Sequence, residues 1–168
     1  MADVIIPTAR LDLVLETTTA VLARIEAMSP TDRAEVSPAW LEQLRAAPPD
    51  DPWTHSFAII ERASGATVGS CAYKGPPSPE GSVEIAYGLE PSHQGLGYAT
   101  EAAAALVGFA FGVGSVRRVC AHTRPEHSAS TRVLTKCGFV RVGEVVDPED
   151  GLVWQWVRDL APITPAVS

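Results

Sequence analysis

The segment Pro91-Ser92-His93-Gln94-Gly95-Leu96-Gly97-Tyr98-Ala99-Thr100-Glu101 follows a run of strand character, Val83 to Leu89, and opens an alanine-rich stretch that runs to Phe111. Gly95 and Gly97 permit a tight turn that brings successive backbone N–H groups together at a helix start. Unpaired donors and the helix dipole there favour a phosphate or pyrophosphate. The loop lacks the GxxxxGK[ST] pattern of a Walker loop and the complete GxGxxG dinucleotide fingerprint. Taken alone, the glycine pair equally describes a helix entrance shaped for packing.

Working outward, strand-like runs lie on both sides of this loop. Arg10 to Leu15 (RLDLVL) alternates polar and apolar residues, and HSFAII, TVGSCAY and SVEIAYGL form an antiparallel series divided by Ser64-Gly65 and the Gly75 to Gly81 loop. A helix is expected from one of the threonines of TTTAVLARIEAM, ended or bent at Ser29-Pro30, and another from Pro38 to Ala47 with Ser37 as its cap. After the alanine-rich helix come the strand SVRRVCAHT and a helix over SASTRVLTKC, begun near Ser128 or Ser130. Two final strands, Val140 to Val146 and Leu152 to Val157, are joined by a DPEDG turn.

Length and composition limit the reading. The 168 residues, 46% hydrophobic and 20% charged, suit a single domain over 1–168 with one core. Thirteen basic against twenty acidic side chains give a formal charge of -7, which discourages a nucleic-acid partner. The longest uncharged run, Ala102 to Val116, has 15 residues and three glycines, short of a membrane span. With no secretory pattern at the start and three cysteines (Cys71, Cys120 and Cys137) in no metal-ligand spacing, the expectation is a cytoplasmic protein without membrane or metal.

Through EIAYGLEPSHQGLGYATEA and TRPEHSASTRVLTKCGF, the chain resembles the GCN5-related N-acetyltransferase superfamily, and within it the RimJ/RimL-like group. The resemblance implies an α/β (α+β) fold: a mixed, twisted sheet of about seven strands flanked by helices, with a splay between strands 4 and 5. Those strands are Glu84 to Leu89 and Val116 to Thr123. It implies acetyl-CoA as cofactor, its pyrophosphate on Gln94, Gly95, Leu96, Gly97, Tyr98 and Ala99 with Thr100 nearby. The pantetheine arm would meet backbone groups near Tyr87 and Leu89.

The implied reaction is acetyl transfer to a primary amine by direct attack in a ternary complex. Glu84 is the catalytic candidate for accepting the amine proton, and His122 is a secondary one. Ser130 matches the group's serine and would hydrogen-bond the departing thiolate, because the common superfamily tyrosine is replaced by Leu134. His127 stands where family members often carry Asn beside the cofactor; Arg132, with Arg124 and Lys136, offers positive charge to the CoA phosphates. Ordinary roles compete at each position: a polar strand residue for Glu84, a helix cap for Ser130, solvated decoration for the cations.

The acceptor is open between a protein N-terminus, a peptide and a small amine. Trp40, Trp53, Tyr73 and Tyr87 could wall its groove, and Glu42, Asp50 and Asp51 could attract a cation. The oligomeric state is open between monomer and homodimer. The substitutions at His127 and Leu134 keep one alternative in view, a non-catalytic acyl-CoA-binding or regulatory module.

Overall fold

The computed structural model describes residues 4–148 and 151–160. The sheet is built from β1 (Ile5–Pro7), β2 (Leu11–Leu15), β3 (Phe57–Glu61), β4 (Thr67–Tyr73), β5 (Ser82–Leu89), β6 (Arg118–Thr123), β7 (Val140–Asp147) and β8 (Gly151–Asp159). Its order is β1-β2-β3-β4-β5-β6-β8-β7, and every neighbouring pair is antiparallel except β5 with β6. The mixed α/β fold expected from the sequence is therefore present, with eight strands in place of about seven. The additional strand is β1, three residues closed by Pro7, too short to produce an alternating pattern. The opening expected between the fourth and fifth strands falls between β5 and β6 once β1 is counted.

Among the described residues, five α-helices and a short 3-10 turn, Pro91–His93, complete the fold: α1 (Thr18–Glu26), α2 (Pro30–Ala34), α3 (Pro38–Ala46), α4 (Tyr98–Gly112) and α5 (Ala129–Lys136). Ser29-Pro30, read above as a stop, also starts α2: the Ser29 hydroxyl caps Asp32 N–H and Pro30 occupies the first turn. The same device starts α3 at Ser37-Pro38, as expected. Gly151 of the DPEDG turn has a positive φ, while residues 149–150 of that turn lie outside the described residues.

α4 is the hydrophobic centre. Ala102, Ala103, Leu106, Val107 and Ala110 are buried in the main core together with Leu11, Leu13, Phe57, Ile59, Val83 and Ile85 from the strands. Tyr73 is buried against this helix and donates its hydroxyl to the Leu106 carbonyl. Burying a leucine such as Leu106 contributes about 2 kcal/mol, so α4 is anchored well behind its exposed entrance. Helices α1 and α3 form a separate small core of Val21, Ile25 and Leu44, with Trp40 and Leu41 packed on it. The fully buried His55 ties this unit down, its Nε2 2.8 Å from Thr18 Oγ1 and its Nδ1 3.1 Å from the Asp51 carbonyl.

Candidate active site

The β5–β6 pair decides the site. Its parallel register includes only Ser82–Arg118, Val83–Val119 and Glu84–Cys120, after which the strands diverge. β5 continues to Leu89 with β4 on one edge and, among the described residues, no strand paired on the other. Alternate backbone groups of Ile85 to Leu89 thus point into a gap instead of a ladder.

On one side of the gap lies a cleft of about 320 Å³, lined by Tyr87, Gly88 and Leu89 of β5, by Gln94, Gly95 and Gly97 to Thr100, and by α5. Gly95 and Gly97 have φ of 78° and 85°, the left-handed region that favours glycine. Gly97 is the N-cap of α4, and a Cβ there would stand 3.1 Å from Arg10 Nη2. The first-turn amides of Tyr98, Ala99 and Thr100 have no intrahelical acceptor and face the cleft end of the helix. Gln94 steadies the loop by donating its side-chain N–H to the Leu89 carbonyl at 3.2 Å. Arg132 and Lys136 of α5 add two cations to the same lining. Backbone donors, left-handed glycines and paired cations suit a diphosphate followed by a narrow arm, which is the donor set acetyl-CoA requires.

The loop is braced from behind. Glu101 in the first turn of α4 accepts from Thr8 Oγ1 at 2.6 Å, Arg10 N at 3.0 Å and Arg10 Nε at 2.8 Å. Burial pushes its carboxyl up, but these hydrogen bonds more than offset that and hold it below the usual carboxylate range. The Arg10 guanidinium stacks over the Tyr98 ring, 4.5 Å from its centroid, and the Tyr98 hydroxyl donates to Glu61. Glu101 and the Tyr98 phenol thus fix the loop from the side away from the cleft.

Beyond the gap a smaller cavity of about 100 Å³ is lined by Lys74, Glu84, Ile85, Ala86, Tyr87, Ala121, His122, Ser130 and Leu134. Tyr87 and Ser130 line both cavities and mark their junction. Glu84 Oε2 lies 3.0 Å from His122 Nδ1 and 3.3 Å from Lys74 Nζ. Tyr87 donates its hydroxyl to the Ser130 carbonyl at 3.4 Å, and burial pushes its phenol up to about 12. Ser128, not Ser130, is the N-cap of α5 and forms a capping box with Thr131, so the Ser130 hydroxyl is not needed to start the helix.

The structure brings most of the expected residues together. Glu84 and Ser130 meet at the small cavity; Tyr87, Leu89, Gln94, Gly95, Gly97, Tyr98, Ala99, Thr100 and Arg132 line the cleft. Neither Leu96, which is exposed, nor His127 is among the residues lining the two cavities, and the exposed His127 ring lies edge-on to Trp154 at 5.3 Å. Leu134 is fully buried between helix and sheet. Trp53 and Tyr73 pack ring to ring at 4.7 Å within the core and do not wall a groove. Lys74 escaped the sequence reading. Its only signal there is rarity, since the chain has two lysines, Lys74 and Lys136.

The cysteines are poorly placed for nucleophilic attack. Burial pushes the Cys71 thiol up to about 12 and raises those of Cys120 and Cys137 as well, so the thiolate is disfavoured at all three. Among the described residues, no helix is long and apolar enough to cross a membrane.

A sheet split at β5 and β6 with a donor-rich helix start beside the split is an arrangement suited to an acyl-CoA ligand. Residues 10–140 match the family model described as the acetyltransferase (GNAT) domain, and the chain belongs to that family, whose members use acetyl-CoA. The uncharacterised N-acetyltransferase p20 of Bacillus licheniformis is 30% identical over 93 residues, 55% of this chain and 52% of that protein. The chain thus spans about half the length of the curated relatives it matches. A GNAT-family acetyltransferase from Bacillus anthracis superposes with a TM-score of 0.69 at 21% identity, over 93% of this chain and 98% of the other. RimL, a ribosomal-protein alpha-N-acetyltransferase in complex with coenzyme A, gives 0.71 at 19% identity over 94% and 98%.

Proposed function

We propose that this chain transfers an acetyl group from acetyl-CoA to a primary amine by direct attack in a ternary complex. The observation that carries the reading is the divergence of β5 and β6 after Glu84–Cys120, which joins a diphosphate-suited cleft to an acid-lined cavity at Tyr87 and Ser130. Bound acetyl-CoA supplies an activated acyl group. In this reading, the backbone amides of the Gln94 to Thr100 segment, Arg132 and Lys136 hold its phosphates, and the backbone of Tyr87 to Leu89 holds its pantetheine arm.

The remaining chemistry belongs to the chain's own side chains. An amine arriving as an ammonium must lose a proton before it attacks, and Glu84, with His122 on its Oε2, is the group that receives it. General-base assistance of this kind typically contributes ~10²–10⁴-fold. Fixing both reactants in one gap contributes more, on the order of 7–11 kcal/mol where alignment is good. Ser130, free of capping duty, donates to the departing sulfur. The raised Cys71, Cys120 and Cys137 thiols support direct transfer over an acetyl-cysteine route.

The acceptor is a protein or peptide α-amine or a small primary amine. The protein named RimL acts on a ribosomal-protein α-amine, which supports including protein N-termini among the acceptors. Incubation with acetyl-CoA and a mixed pool of peptides and small amines, followed by intact-mass detection, tests the reading. Acetylated products are expected; binding of CoA with no product over a broad pH range would instead establish a non-catalytic acyl-CoA-binding module.

A further inference from the structure

The small cavity already contains an amine. Lys74 follows β4 directly, and its N–H donates to the Glu84 carbonyl at 2.8 Å, so the two residues are cross-strand neighbours. Its side chain turns to the same partner, placing Nζ 3.3 Å from Glu84 Oε2, the oxygen that also faces His122. Lys74 lines the cavity with Tyr87 and Ser130, which also border the cofactor cleft. A primary amine of the chain therefore occupies the position where an external acceptor would meet the proposed base. The side chain is half-exposed, with a flexible four-carbon stem, so Nζ can move towards the junction without repacking the core.

We infer that Lys74 is a self-acetylation site, modified in cis from bound acetyl-CoA when no external amine fills the cavity. This inference rests on the transferase reading above and names a substrate of that same site. The Nζ lone pair attacks the thioester carbonyl carbon: a C–N bond forms, the C–S bond breaks, and the electron pair leaves with the CoA sulfur. The proton lost from Nζ passes to the Glu84–His122 pair, and the thiolate is protonated on release. The product is a neutral acetamide, so modification removes the Lys74–Glu84 ion pair and places an acetyl group at the acceptor cavity. Because nucleophile and thioester belong to one complex, the rate per molecule does not depend on protein concentration.

The test uses the full chain, acetyl-CoA and no added amine, with intact mass and peptide mapping as readouts. The chain's two lysines make the mapping unambiguous, with Lys136 and the amino terminus as internal references. The expected result is one acetyl group on Lys74, formed at a rate unchanged over about a tenfold range of protein concentration. It is absent in Lys74→Arg and slowed about tenfold or more in Glu84→Gln, with CoA binding by the latter showing that it is folded. Lys74 left unmodified by a preparation that acetylates an external amine overturns self-acetylation and leaves the transferase reading standing. Equal labelling of Lys74, Lys136 and the amino terminus, unchanged in Glu84→Gln, overturns it as adventitious chemistry. Failure of both Lys74 and the amine pool, with CoA bound, overturns both claims.

Discussion

Glu84, the last residue of β5 paired with β6, reaches past its register partner Cys120 to His122, with Oε2 and Nδ1 3.0 Å apart. Their contact coincides with the end of the parallel ladder, so the strands are held together at the point from which they separate. The contact also orients the imidazole and one carboxylate oxygen, a placement that suits the proton transfer proposed above. Replacing Glu84 by Gln keeps the size of the side chain while removing its basicity. Turnover with an amine should fall about 10²-fold or more, while the CoA affinity measured by calorimetry stays within a factor of about two. An equal loss in both quantities would place Glu84 in binding.

Gly97→Val should weaken CoA binding by at least about tenfold, equivalent to ~1.4 kcal/mol. The position has a φ of 85°, and an added Cβ would stand 3.1 Å from Arg10 Nη2. The substitution therefore strains the α4 entrance and disturbs the brace behind it. Calorimetry on a variant with an intact thermal transition checks this, and unchanged affinity would separate the loop from the cofactor.

Ser130→Ala gives a test in which stability and chemistry separate. Ser128 and Thr131 form the capping box, and alanine is the better helix former, so the melting temperature should not fall. Turnover should drop several-fold, on the scale of one lost hydrogen bond of ~1 kcal/mol, with little change in CoA affinity. Normal turnover with both good and poor acceptors would remove Ser130 from the reaction.

Alkaline stability follows from the buried acids. Burial pushes Cys71 from 9.0 to about 12 and Tyr87 from 10.0 to about 12. In this window the unfolded chain has lost these protons while the folded chain retains them, so stability falls as pH rises. Thermal unfolding should show a decline beginning near pH 9 and continuing towards 12. Cys71→Ala should flatten the early part of that decline even though it lowers stability at neutral pH; an unchanged slope would show that Cys71 is not the group responsible.

Much of this was legible because the decisive signals are local. A glycine pair between a strand and an alanine-rich run specifies its own backbone geometry, and Ser37-Pro38 announces a helix start without tertiary help. Ser29-Pro30 carries the same signature as Ser37-Pro38 and starts a helix too, although it also ends the preceding one. β1 was hidden by brevity and Pro7. The placement of Lys74 depends on register: only the β4–β5 pairing sets it beside Glu84. His127 takes its expected role from its position in a motif; its ring also packs edge-on to Trp154 of β8, a contact that local sequence does not encode. Leu96 sits within the loop pattern, but its side chain faces solvent.

A crystal structure of the chain with coenzyme A bound tests the central claim most directly. The account predicts the diphosphate against the amides of the Gln94 to Thr100 segment, the arm along Tyr87 to Leu89, and the sulfur at the junction of Tyr87 and Ser130, open to Glu84. Coenzyme A bound elsewhere, or bound with its sulfur directed away from that junction, would contradict it.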